Sequence, residues 1–511
     1  MRATRSVTKD PMDILRPLHR ATGPICALLL LAGCATGPDF KRPALPASAG
    51  YLDPALQLHP SAAGTDIVQR VMEGAPVESR WWHAFRSPAL DELVEEGLRA
   101  SPTLEAAEAT LREARHTYEA HAGSTRYPQA NANLSGERKS VNNAAMGQTG
   151  GDNTFNLYSA SVNVRYDFDL FRGNRRALEA LAAQADYRRF QLEGARLTLA
   201  ANVIATAIAQ ARLSEQIEVT ERILNAQAEQ LALTRRRLEL GSASDVDVLA
   251  LQTQMEQTRA GIPALRNGRD QASHLLAMLI GQTPSATNIP PFTLTDFTLP
   301  SALPLQVPSE LIRRRPDIRV SEALLHAACA EHGVAISKLY PQISLSADVG
   351  AQALTMDKLF NPASLIWSLG GQLAQPLFNR GLRAEARAAE AGFAAASAHY
   401  RETVLQAFRD VADILRGLEH NAHALTATTA AAISAQETLA LVQKRYAMGA
   451  ANYLEVLTAQ QVVESSRMDM CAAQAQRLID TVTFYSAMGG GWKEDAIRTQ
   501  EVRNHDKTGE E

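Results

Sequence analysis

Two stretches of this chain, 174–240 and 380–448, contain no proline and few glycines, and Ala, Leu, Gln, Glu and Arg dominate both. These are strong helix formers, and nothing inside either stretch stops a helix. At 1.5 Å per residue the first alone spans about 100 Å. No globular domain needs a helix that long, so its apolar positions must be met by another helix along the whole run. The seam is legible: Ile217, Leu224, Leu231 and Leu238 step by seven, and so do Leu425, Ala432, Leu439 and Tyr446. Seven is the coiled-coil period. The two seams stand 208 residues apart, so one plan is written twice.

Each run ends in the same kind of turn. Arg236–Thr253 reads RRLELGSASDVDVLALQT and Lys444–Gln461 reads KRYAMGAANYLEVLTAQQ. Gly241 and Gly449 suit a left-handed helix end, after which the chain returns as second helices, Ser244–Ile280 and Asn452–Met488. Upstream the repeat continues: Pro102-Thr103-Leu104 matches Pro316-Asp317-Ile318, Tyr127-Pro128-Gln129 matches Tyr340-Pro341-Gln342, and Leu170-Phe171 matches Leu377-Phe378. Between these markers the hydrophobic period drops to two. Tyr158, Ala160, Val162, Val164, Tyr166 and Phe168 alternate with polar residues, and so do Ala130, Ala132 and Leu134, then Ile343, Leu345, Ala347 and Val349. Leu365, Trp367, Leu369 and Leu373 form a fourth apolar set. Four strands of about ten residues have the length of tilted membrane strands. Soluble hairpins use such strands more often, so the choice turns on where the chain is sent. If the strands enter a membrane, four cannot close a barrel, since about eight is the smallest. Several chains must then share one.

The amino terminus supplies the address. Arg16, His19 and Arg20 precede the apolar Ile25–Leu31, and Leu31-Ala32-Gly33-Cys34 follows. This resembles a bacterial lipoprotein signal, which implies cleavage before Cys34 and acylation of that residue; Ala35 in place of Asp points to the outer membrane. Met12 is a second candidate start. Lys plus Arg number 51 against 55 Asp plus Glu, so no charge excess advertises nucleic acid or a basic partner. No unbroken apolar run reaches the roughly 18 residues of a spanning helix. Cys329 and Cys471 alone remain beyond Cys26 and Cys34, too few for a disulfide framework. His326, Cys329 and His332, with Glu331 beside them, are the most metal-like cluster, but steps of three drift about 60° each around a helix. Neither they nor His420 and His423 predict a metal site, and no phosphate loop, zinc-protease motif or nucleophile elbow occurs. Arg235, Arg236 and Arg237, near a helix end, fit its dipole.

At this point a resemblance becomes specific. The lipoprotein signal, Trp81-Trp82 with Phe85, Pro88-Ala89-Leu90, the run RRRPDIRVSEALLHAACAEHGVAISKLYPQISL and the two turns resemble outer-membrane efflux ducts of the TolC and OprM kind, in their NodT-type lipoprotein branch. The resemblance implies a membrane α+β fold in which three chains give four strands each to one twelve-stranded outer-membrane barrel, continuous with a long α-helical barrel across the periplasm. The implied plan is a signal at 1–33, a lipidated arm at 34–80, repeat one at 81–295 (strand pair 127–171, helical hairpin 174–280), repeat two at 296–490 (strand pair 340–378, hairpin 380–488) and a disordered tail at 491–511. The implied function is the passive exit duct of a tripartite pump, without catalysis or cofactor beyond the lipid on Cys34. Its implied partners are two further copies, a periplasmic adaptor at the tips around Gly241 and Gly449, and an inner-membrane transporter of the resistance-nodulation-division type. By similarity, Leu454, Glu455 and Thr458 face the axis at the periplasmic mouth, and Tyr446 reaches Asp245 to hold it shut. Related ducts often carry Asp where Thr458 stands, and some carry Arg where Ala451 stands, facing the position of Ser244; neither charge is present. Glu455 and Asp247 also fit ordinary solvated helix faces. A duct for an ATP-driven protein or peptide exporter, and a non-conducting envelope tether, are the other readings of the same residues.

Overall fold

The computed structural model describes residues 37–43, 51, 69–142, 152–285 and 289–492. Cys34, Met1, Met12 and 493–511 of the tail lie outside them. In chain order the elements are β1 (Arg70–Glu73), α1 (Pro88–Ala100), α2 (Pro102–Arg126), β2 (Gln129–Asn142), β3 (Asp152–Phe168), α3 (Gly173–Glu239), α4 (Asp245–Leu279), β4 (Ala302–Leu305), α5 (Pro308–Arg314), α6 (Pro316–Ser337), β5 (Gln342–Ala353), β6 (Leu365–Ala374), α7 (Arg380–Ala447) and α8 (Tyr453–Ala487). Proline opens four of these helices, where its missing N–H costs nothing and its fixed φ already fits. The described residues fall into two compact units, one drawn from 37–42, 113–185 and 323–398 and the other from 43–112, 186–322 and 399–492.

The first unit holds an antiparallel sheet in the order β2-β3-β5-β6. The register sets the apolar positions of all four strands in common rows, such as Ala132–Val162–Val349–Trp367 and Ala130–Val164–Ala347–Leu369. Since side chains alternate with period two, this register puts the four apolar sets on one face. Where β3 passes into α3, the Asp169 carboxylate accepts hydrogen bonds from the backbone N–H groups of Asn174 and Arg175, each at 2.9 Å. Phe171 stacks on Tyr340 at 4.9 Å, next to the start of β5.

The second unit is built on the long helices. The heptad positions do what their spacing demands: Ile217, Leu231 and Ala432 are buried, and Leu224, Leu238, Leu425, Leu439 and Tyr446 are half-buried. Among the described residues α3 alone has a window apolar enough to cross a membrane, of mean hydropathy 1.2. Its Val203, Ile204, Ala207, Ile208 and Ala211 are fully buried in the unit's main core. There Trp81 stacks on Tyr485 at 5.3 Å, and Leu90, Leu93, Val94 and Gly97 bury one face of α1. Arg315, in the RRRPDIR run, donates to both oxygens of Asp317 at 3.1 and 2.7 Å and to Asp410 at 3.2 Å. Burial would lower its pKa, but those carboxylates outweigh it and hold the guanidinium charged.

Two features differ from the sequence reading. Residues 70–73, assigned to an aperiodic arm, form β1 and pair in parallel with β4. Four residues reading RVME show no alternation, and their partner lies far along the chain. Gly491 and Trp492, assigned to the tail, belong to the body: Gly491 is buried, and Trp492 Nε1 donates to the Arg314 carbonyl at 2.5 Å.

Candidate functional site

The two helical tips are built alike. At the first, Gly241 has φ of +72°, its N–H donates to the Leu238 carbonyl at 2.9 Å, and Ser242 N–H donates to the Arg237 carbonyl at 2.8 Å. At the second, Gly449 has φ of +73°, with matching bonds to Tyr446 at 3.0 Å and from Ala450 to Arg445 at 2.8 Å. This double bond is the Schellman helix stop. Each returning helix then opens with a capping box: Ser244 with Asp247, and Asn452 with Glu455. Cap and N3 side chains satisfy each other's backbone donors, so both turns meet that need without help from neighbours.

The tips differ in what lies between them. Leu231, Leu251, Met255, Tyr453, Val456 and Leu457 form a separate buried cluster that joins the two hairpins. The Arg237 guanidinium sits over the Tyr446 ring, 5.2 Å from its centroid, and Tyr446 meets Tyr453 edge-on at 5.7 Å. The equivalent Arg445 instead faces its own turn, pairing with Glu455 at 3.5 Å and donating to the Ala450 carbonyl at 3.1 Å. Tyr453 is 6% exposed, and its hydroxyl is buried with no hydrogen-bond partner. Burial pushes its pKa well above the ordinary phenol range, and the nearby Tyr446 and Asp247 push the same way. One further polar tie, Gln460 Nε2 to Gln230 Oε1 at 2.7 Å, joins α8 to α3.

The sheet of the first unit has the opposite character, because its apolar face is uncovered. Trp367 is 75% exposed and Leu369 67%, and Leu134, Val162, Leu345 and Val349 are exposed with them. On the other face lie rows such as Asn131–Asn163–Asp348–Ser368, where Asn163 Nδ2 donates to Asp348 at 3.5 Å. Both outer strands, β2 and β6, have one unpaired edge within the chain.

A family model for outer membrane efflux proteins matches residues 93–282 and 307–490. This chain is an outer membrane efflux protein. It is 30% identical over 474 residues to the solvent efflux pump outer membrane protein SrpC of Pseudomonas putida, covering 92% of this chain and 98% of that one. It is 27% identical to the cation efflux system protein CusC of Escherichia coli, over 92% and 98% of the two chains. Among solved structures, the outer-membrane channel OprN matches with a TM-score of 0.81 at 27% identity, over 90% of this chain and 100% of that one. The open-state MtrE channel of Neisseria gonorrhoeae matches at 0.76 and 25%, over 90% and 99%. The family resemblance read from the turns and the RRRPDIR run is thus borne out, with the outer-membrane location and the efflux function that go with it.

Within this efflux protein the tip residues fall into two groups. Leu454, Thr458 and Asp245 are exposed, the first two one turn apart on α8, with the Thr458 hydroxyl donating to the Leu454 carbonyl at 2.9 Å. Ser244, Glu455, Gly241 and Gly449 build the turns themselves. No hydrogen bond joins Tyr446 to Asp245 inside the chain; the carboxylate that helps raise the Tyr453 pKa belongs to Asp247. The reason is helix phase. Ser244 is the cap, so Asp245 and Asp247 are the first and third helical residues and point about 200° apart. Arg237, Asp247 and Tyr453 were not singled out from the sequence as gate residues. The repeat held a signal for the last, since Tyr453 stands 208 residues after Asp245, an aromatic ring where the other copy has a carboxylate.

Proposed function

We propose that this efflux protein is the passive exit duct of a tripartite pump and works as a trimer. Three copies would join their four-stranded sheets edge to edge into a twelve-stranded barrel, and six helical hairpins would line a periplasmic tunnel below it. The observation that carries this reading is the sheet: four strands in register, apolar on one uncovered face and polar on the other, with both outer edges unpaired. Lipid tolerates neither open edges nor unpaired backbone, so such a sheet needs further strands to enter a membrane. The lipid on Cys34 would add an anchor. We assign the duct no catalytic role and no cofactor. An inner-membrane transporter of the resistance-nodulation-division type would supply the energy through a periplasmic adaptor docked at the tips. That SrpC is the outer membrane protein of a solvent efflux pump supports small apolar solutes as cargo.

The tips would be the periplasmic gate. Leu454 and Thr458 project away from the hairpin core and would face the axis, where a ring of Leu454 side chains impedes ions by dewetting; a ring of Glu455, only partly used by Arg445, would favour cations. Among the described residues Asp245 has no hydrogen-bond or ion-pair partner, and it would serve contacts between copies. Arg237, Tyr446 and Tyr453 would hold the two hairpins of one copy together, and adaptor docking would shift the population toward hairpins swung apart. The test is ion current through purified protein in a planar bilayer, comparing the native chain with Arg237→Ala combined with Tyr446→Ala, and with Asp245→Ala combined with Tyr446→Phe. Small native currents that grow in the variants are expected. Large currents throughout would keep the pore and discard the latch, whereas no current despite verified insertion would overturn the duct.

A further inference from the structure

His326, Cys329 and Glu331 on α6 have no part in a channel's work, and among the described residues they assemble no metal site. Glu331 accepts from Gln184 Nε2 at 3.3 Å, whereas His326 and Cys329 meet the chain's own amino-terminal segment. Cys329 Sγ donates to the Pro38 carbonyl at 3.5 Å, and the Phe40 ring stacks on His326 with centroids 4.3 Å apart and planes 20° from parallel. His326 Nε2 lies 2.9 Å from Glu179 Oε1, Glu179 Oε2 accepts from Arg176 Nη1 at 2.7 Å, and Arg176 Nη2 donates to Asp39 at 2.6 Å. The polar chain therefore starts at Asp39 and returns to Phe40, its neighbour. Arg176 is only 7% exposed at its side chain, so this guanidinium is held inside the contact.

The backbones are equally matched. A Cβ on Gly37, whose φ is +85°, would lie 2.7 Å from Gly333 Cα, and one on Gly333 would lie 3.0 Å from Arg176 Cγ. Glycine over glycine is what lets the segment reach the helix at all. The contact surface also sits at a structural junction of the first unit. β3 feeds α3 through Phe171, α6 feeds β5 through Tyr340, and those two rings stack. A Cβ on Gly173 would come 2.5 Å from Ser337 Oγ, so α3 and α6 touch there too.

We propose that this face of α3 and α6 is the receptor site for residues 37–40, an extended Gly-Pro-Asp-aromatic peptide, and that its occupation fastens the helix-to-sheet junction so that the sheet is presented for assembly. Cys34 lies three residues before Gly37, a reach of about 10 Å. Docking would therefore hold an acylated Cys34 beside the foot of the sheet. The site does not depend on the pump reading; only its effect on assembly does.

The two buried thiols make the test. Full-length protein in detergent is treated with N-ethylmaleimide, and labelling of Cys329 and Cys471 is followed separately by peptide mass spectrometry, alongside the yield of SDS-resistant oligomer. The variants are Asp39→Ala with Phe40→Ala, and Gly333→Ala, which leaves the peptide intact. Alanine in a helix interior ordinarily stabilises it, but here its Cβ would press on Arg176, the side chain that holds Asp39, so loosening by Gly333→Ala reports on the docked contact. The expected result is at least tenfold faster labelling of Cys329 in both variants, unchanged labelling of Cys471 in the second unit, and a severalfold drop in oligomer. Unchanged Cys329 would overturn the site, and equal acceleration of both thiols would reduce it to a general loss of fold. Exposed Cys329 with undiminished oligomer would overturn the fastening role. A failure of the duct reading would show separately, as absent current in protein whose Cys329 is protected.

Discussion

Tyr453 carries an unsatisfied polar atom at the tips. Its ring packs among Leu251, Val456 and Leu457 while its hydroxyl is left without a partner. Leaving such a group unpaired costs about 1–3 kcal/mol. Because burial keeps the phenol neutral, removing the oxygen removes no charge. Tyr453→Phe should therefore stabilise the packed tips by roughly 1–3 kcal/mol, read as a higher urea midpoint and a smaller bilayer leak. A lower midpoint would mean the hydroxyl has a partner after all. Arg237→Gln should act in the opposite direction, losing a cation–π contact worth about 0.5–2 kcal/mol. Glu179 supplies a pH signature. Burial raises its pKa, but hydrogen bonds from Arg176 and His326 outweigh that, leaving it below the usual 4.5. A depressed carboxylate stabilises the fold above its unfolded value and loses that contribution as pH falls through the folded one. The contact of residues 37–40 should therefore loosen as pH falls through Glu179's depressed pKa, read as faster amide hydrogen exchange at 37–40 after correction for the intrinsic pH dependence, and Glu179→Gln should flatten that loss.

At the scale of elements, the two tips test whether the repeat is more than a resemblance. A Cβ on either Gly241 or Gly449 meets nothing within 4 Å, so substitution costs only the left-handed conformation. Gly241→Ala and Gly449→Ala should each destabilise by about 1–2 kcal/mol and by nearly equal amounts. Unequal losses would show that one tip depends on neighbours the other lacks. The sheet offers a sharper contrast. Leu369→Arg falls on the apolar face and should cost about 2–4 kcal/mol of membrane stability if that face meets lipid near the bilayer centre. Ser346→Arg, two strand positions from Asp348 on the polar face, should insert normally. Equal tolerance of both would remove the lipid-facing assignment.

For the whole molecule, the repeat and the sheet edges make the same demand. A chain that writes one plan twice, and leaves one edge of each outer strand unpaired among the described residues, is suited to ring closure by further copies. Crosslinking of native protein in outer membranes should give a ladder that stops at three chains. A ladder ending at two, or continuing past three, would sink the shared barrel. Deleting 37–40 should lower the three-chain product without altering the helical content, which far-UV circular dichroism would check.

Periodicity is a local property, so the amino-acid sequence alone determined the long helices, the four strands, their doubling and the helix-stopping glycines. Strand bounds at 129–168 and 342–374 fall inside those read from alternation because period-two patterns survive any tertiary setting. It also held the family, through runs whose residues are invested in packing, such as the Arg315 hub. Only the tertiary structure decided which side chains meet. Asp247 rather than Asp245 acts on Tyr453 because a cap residue sets the phase of α4, and two positions turn a side chain through about 200°. Arg237 reaches Tyr446 across hairpins, although its position at a helix end fits the dipole equally well. The His326 cluster answers to Phe40 and Asp39, some 290 residues earlier, and β1 answers to β4. Contacts between segments so far apart leave no spacing to read, because chain separation carries no record of the loops that fold between them.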